Sequence, residues 1–129
     1  MIVVLIAFYY VTYKGLELGN IYAITKESNR RLEHFLENYP HDETLLQKYK
    51  VNQKIDKSYK KYKINHIVSR NIGDSELIVD VIYEIKLLYE EKEVQYKVIH
   101  SFTRLHGVEF NISKKELDNG IWIMEWKEL

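Results

Sequence analysis

Hydrophobic positions change their spacing twice along this chain, and each change marks an element boundary. Residues 1–13, MIVVLIAFYYVTY, carry no charged side chain. A spanning helix needs about 20 apolar residues, so this run reads as a membrane anchor only if its helix continues through KGLELGNIYAI, or if it is part of a longer span. The competing reading is a buried strand or helix, the strand favoured by its Ile, Val, Phe and Tyr. The anchor reading divides the chain into a leading segment, 1–24, and a folded domain, 25–129.

Beyond the run, ITKESNRRLEHFLENYP has helical spacing. Leu32, Phe35, Leu36 and Tyr39 form one apolar stripe, and Pro40 ends the helix. Thr25 or Ser28 would cap it if it started there. A second helix is expected over about 42–60, with Asp42 at its N-cap, a break near Asn52, and Leu45, Tyr49, Ile55 and Tyr59 on its buried side.

From Tyr62 the period falls to two, the spacing of strands with one buried face. A hairpin tip at Glu91-Lys92 would pair Leu87 with Tyr96, Ile85 with Val98, Tyr83 with His100 and Val81 with Phe102. The outer face would then set Lys86 against Lys97 as solvent-facing neighbours. An earlier turn at NIGD (71–74) would pair Ile64 with Tyr83 and His66 with Val81. A slip by one residue would bury lysines, so the choice of inward face is strongly determined. Gly107 suggests a bulge, LDNG (117–120) a turn, and GIWIMEWKEL a closing strand. The predicted class is α+β: N-terminal helices packed on a curved antiparallel sheet of about four long strands.

Composition narrows the chemistry. The absence of cysteine removes disulfides and thiolate sites. Net charge is zero, but residues 1–73 carry +5 and residues 74–129 carry −5. The basic excess centres on Lys48, Lys50, Lys54, Lys57, Lys60, Lys61 and Lys63. That run is a candidate interaction face for anionic lipid or for an acidic protein neighbour, against the plainer reading of a solvated helix face. Overall neutrality and the lack of a groove-reading motif argue against nucleic acid.

His66, Tyr83, Tyr96 and His100 face inward in the expected register and are candidate pocket-lining residues. His66 and His100 would sit roughly 10 Å apart with no inward carboxylate beside them, which suits neither a shared metal nor an acid–base dyad. The bland alternative is histidines hydrogen-bonded within the core. His100 and His106 would be about 20 Å apart along one strand, and His34 and His41 straddle Pro40 with no partner signature. No phosphate loop, nucleophile motif or zinc-protease pattern occurs. The expectation is a non-enzymatic protein without metal or cofactor.

Helices followed by a long-stranded meander that closes on Gly120, Ile121, Trp122, Ile123, Met124, Glu125 and Trp126 resemble the nuclear-transport-factor-two-like superfamily, a cone-shaped fold. With an N-terminal span, the layout resembles the bitopic assembly subunit of type IV secretion and conjugation machines. That resemblance implies a membrane-tethered scaffold in the bacterial cell envelope, with protein subunits or further copies of itself as partners. A small-ligand pocket of the same fold and a small inhibitory binding protein are the alternatives.

Overall fold

The computed structural model describes residues 2–66, 77–104 and 112–129, with side chains from residue 20 onward except those of His66 and Leu77. Its elements run α1 (Ile2–Asn38), α2 (Leu45–Lys48), β1 (Lys61–His66), β2 (Leu77–Leu88), β3 (Glu93–Arg104), α3 (Lys114–Asn119) and β4 (Ile121–Glu128). The strands form one antiparallel sheet in the order β1-β2-β3-β4. Helix α1 packs on one face, which makes the α+β class a finding.

The apolar stripe of α1 does what its spacing demands. Leu32, Phe35, Leu36 and Tyr39 are all buried, joined one and two turns earlier by Ser28 and Ile24. Burying each large apolar side chain is worth about 1.5–3 kcal/mol, far more than helix propensity supplies. The helix does not start at Thr25 or Ser28. It runs unbroken through position 24, Thr25 returns its hydroxyl to the Ile21 carbonyl at 2.8 Å, and Ser28 is a core residue.

The second helix is mostly absent. Only Leu45–Lys48 is helical, and Asp42 caps nothing: its Oδ1 accepts the Thr44 N–H in an Asx turn. Lys50 then adopts φ 50°, which no helix accommodates. Tertiary hydrogen bonds outcompete helical ones from there. Lys50 and Asn52 exchange backbone bonds with Met124, at 3.2 Å each, adding a short parallel bridge to the free edge of β4. The Asn52 amide continues it, donating to the Trp126 carbonyl at 3.1 Å and accepting the Trp126 N–H at 2.8 Å. Tyr59 donates to the Leu36 carbonyl at 2.8 Å, satisfying one of the acceptors that the end of α1 leaves open. Tyr39 likewise donates to the Ile55 carbonyl and accepts the Ile55 N–H. Leu45, Tyr49, Ile55 and Tyr59 are buried as expected, but from an irregular segment.

Both hairpins are offset by two residues from the predicted register. Leu87 pairs with Val94, Ile85 with Tyr96, Tyr83 with Val98, Val81 with His100, and on the other side Ile64 with Ile85 and His66 with Tyr83. A two-residue slip preserves the inward face, so the apolar set remains inside. In the second hairpin Glu84 now opposes Lys97, Lys86 opposes Gln95 and Ile82 opposes Ile99, while in the first Lys63 opposes Lys86. Lys86 and Lys97 share the outer face without being directly opposed. The tip correspondingly widens to residues 89–92, closed by the Tyr89 N–H to the Lys92 carbonyl at 2.8 Å.

LDNG is not an isolated turn, because Leu117 to Asn119 complete α3. Ser113 caps that helix by accepting the Glu116 N–H at 3.2 Å. Gly120 follows at the start of β4, where a β-carbon would lie 2.0 Å from the Phe102 ring. The close approach, not backbone conformation, requires glycine there. The NIGD turn and Gly107 lie outside the described residues.

Candidate functional site

The inner face of the sheet brings together two of the four sequence-predicted residues. Tyr83 on β2 and His100 on β3 sit on adjacent strands, one pair out of register, and both reach Ser28 on α1. Ser28 Oγ is 2.8 Å from Tyr83 Oη and 2.7 Å from His100 Nδ1. Tyr83 also donates to Asn29 Oδ1. The Tyr83 hydroxyl hydrogen is committed to Asn29, so Ser28 donates to Tyr83, and Ser28 in turn accepts the Nδ1–H of His100. His100 is therefore the Nδ1-protonated tautomer, with a bare Nε2 that has no partner among the described residues.

Burial explains the electrostatics. Ser28, Tyr83 and His100 are each 0% exposed. Removal from water, reinforced by the Arg31 guanidinium, drives the His100 pKa down from 6.5 to about 3, so the ring is neutral. Burial likewise pushes the Tyr83 phenol up to about 12. Trp122 packs on His100 at 4.9 Å between ring centres, and Arg31 lies over Trp122 at 4.8 Å, held by Glu27 at 3.1 Å and Asp118 at 3.8 Å.

A serine beside a histidine invites a nucleophilic reading, but this geometry does not serve one. A working nucleophile must meet substrate, and neither Ser28 nor His100 has any exposed surface. The cluster acts as a polar clamp that fastens α1 to β2 and β3.

Tyr96, the third candidate, is buried elsewhere, edge-on to Trp126 at 5.3 Å in the aromatic group that includes Phe35. His66 ends β1 opposite Tyr83, and its side chain lies outside the described residues. Ser28 joins the core, where its sequence position suggests a cap, because α1 continues past it.

The basic run does not form one helix face. Lys54 and Lys57 reach Glu43 at 3.4 and 3.1 Å, and Lys60 pairs with Glu90 in the β2–β3 hairpin tip. Lys48 lies over the Tyr49 ring at 5.4 Å, Lys50 occupies the turn before the bridge, and Lys61 and Lys63 stand on the outward side of β1. An open depression beside the hairpin tip is lined by Ser58, Lys60, Tyr89, Glu90 and Glu91, away from the inward candidates. Among the described residues, no group of three or more His, Asp or Glu side chains converges as a metal site would require.

No protein-family model, curated protein or solved structure matches this chain.

Proposed function

We propose that this protein is a membrane-tethered, non-enzymatic assembly module, a scaffold subunit of a secretion- or conjugation-type complex. The carrying observation is the continuity of α1. The apolar residues at its start and the core stripe from Ile24 to Leu36 belong to one helix, Ile2–Asn38. A helix that enters a bilayer at one end and fills a domain core at the other transmits position directly, with no flexible linker between tether and domain.

Among the described residues, no helix is long and apolar enough to cross a membrane, and the side chains of residues 1–19 lie outside that set. Support for the tether therefore rests on the sequence of that run and on the unbroken helix that carries it. The small-ligand reading is weaker, because Tyr83 and the Nδ1 of His100 are engaged with Ser28 in a packed interior.

Membrane partitioning of the full chain, expressed in a bacterium, tests the proposal. Release only by detergent and not by carbonate, with other membrane subunits copurifying, is the expected result. A chain that carbonate releases as a soluble monomer would overturn it.

A further inference from the structure

The sheet has two faces, and α1 covers only one. On the other, Ile82 opposes Ile99, Ile123 neighbours Ser101, and Ile121 and Ile78 flank Thr103 in the next row. These rows carry five isoleucines, interrupted in the middle row by Asp80, which accepts the Ser101 hydroxyl. Ile121 is 39% and Ile123 45% exposed, and none of the described side chains on this face is buried. An antiparallel sheet facing only water alternates towards polar residues outside, so a block of isoleucines there marks an interaction surface.

We infer that this outer face is the docking surface for a second copy of the chain, packed sheet against sheet. The charge pattern selects that partner. Beside the isoleucines, Glu84 opposes Lys97, Lys97 opposes Lys127, and Glu125 sits next to Ile99. Across the whole face four carboxylates stand among five lysines. A mixed, near-balanced surface can meet its own image with opposite charges in register, whereas an anionic bilayer or a nucleic acid selects a strongly basic one. The extent also fits, since about twenty side chains point outward and a standard interface uses roughly 20–30 residues a side. The orientation rests on the proposed tether. A helix lying across a sheet is parallel to its plane, so a helix standing in a bilayer turns the sheet's free face sideways, towards neighbours on the same membrane. Copies confined there meet at a raised effective concentration.

The lack of cysteine makes the test clean. Single substitutions Ile123→Cys, Ile99→Cys and Lys97→Cys in the full chain, in mild detergent, are oxidised gently, with Glu33→Cys as an exposed control on α1, on the opposite side of the sheet. In a two-fold, face-to-face dimer, residues near the axis meet their own copies, so at least one outer-face variant is expected to form a disulfide dimer within minutes while Glu33→Cys remains monomeric. Ile123→Glu is expected to convert the native dimer to a monomer by light scattering without changing its circular dichroism. Monomeric mass for the unsubstituted chain, with no outer-face cross-link, would overturn the proposal, as would sedimentation with phosphatidylserine vesicles that Ile123→Glu abolishes in place of a dimer. Carbonate extraction of the same samples separates the two readings. A cross-linked dimer released by carbonate keeps the interface and rejects the tether, while a detergent-dependent monomer does the reverse.

Discussion

Ser28 and His100 are 72 positions apart in sequence and 2.7 Å apart in space. A small hydroxyl on a helix thereby determines the tautomer of a histidine on the third strand and supports the Tyr83 hydroxyl from the same atom. Ser28→Ala removes the hydroxyl that contacts His100 Nδ1 and one partner of Tyr83, leaving His100 its bond to the Ser28 backbone. Loss of buried hydrogen-bond partners of this kind costs about 1–3 kcal/mol. Urea denaturation of Ser28→Ala should show a loss in that range with an unchanged m-value. A change below about 0.5 kcal/mol would mean that the cluster does not hold α1 to the sheet.

The same burial predicts an acid-sensitive fold. Because the His100 pKa falls from 6.5 to about 3 on folding, the unfolded chain binds the extra proton between those values. Stability from this group is complete above pH 6.5 and declines as pH falls towards 3, by up to about 1.4 kcal/mol for each pH unit. His100→Gln is expected to flatten the pH dependence between 6.5 and 5 relative to the unsubstituted chain, whatever its cost at neutral pH. Parallel pH profiles of the two proteins would refute this account of His100.

Asn52 stands in for a strand where the main chain turns away from β4. Asn52→Asp keeps the acceptor for the Trp126 N–H but loses the donor to the Trp126 carbonyl. Asn52→Ala loses both. Both variants should destabilise, by roughly 1–3 kcal/mol. Hydrogen exchange should speed up at the Trp126 amide in Asn52→Ala and much less in Asn52→Asp. Equal protection in all three proteins would exclude the side-chain bridge.

Gly120 tests packing in place of polarity. A β-carbon there meets Phe102 at 2.0 Å, so Gly120→Ala requires the ring to move within a closed core. Overpacking of this kind costs typically 1–3 kcal/mol. Phe102→Leu should cost stability alone yet offset part of the Gly120→Ala loss when combined with it. A double-mutant cycle with no coupling would show that the clash is relieved elsewhere.

Inward and outward positions were legible because they follow from local periodicity. Leu32, Phe35, Leu36 and Tyr39 at helical spacing, and Val79, Val81, Tyr83, Ile85 and Leu87 at alternate positions, are buried wherever the elements pack. The capping pattern Ser113-x-x-Glu116 also stands in the sequence and marks the start of α3, whose last residues coincide with the turn-forming LDNG. Strand register is different. A slip of two residues leaves every face intact, so periodicity cannot choose between the alternatives, and like-charge opposition does not choose either, because the observed pairing sets Lys63 against Lys86 and Lys97 against Lys127.

Taken alone, the sequence determined the class, the succession of four strands and most of the buried residues of α1, β2 and β3, because burial depends on the repeat of a single chain segment. Tertiary structure decided the rest. It converted residues 49–60 from a helix into an irregular strap, because Met124, Trp126 and the end of α1 offered its backbone better-placed partners than its own turns could. It also drew Ser28 into contact with His100. Both outcomes depend on groups far apart in the chain, whose meeting no local pattern encodes.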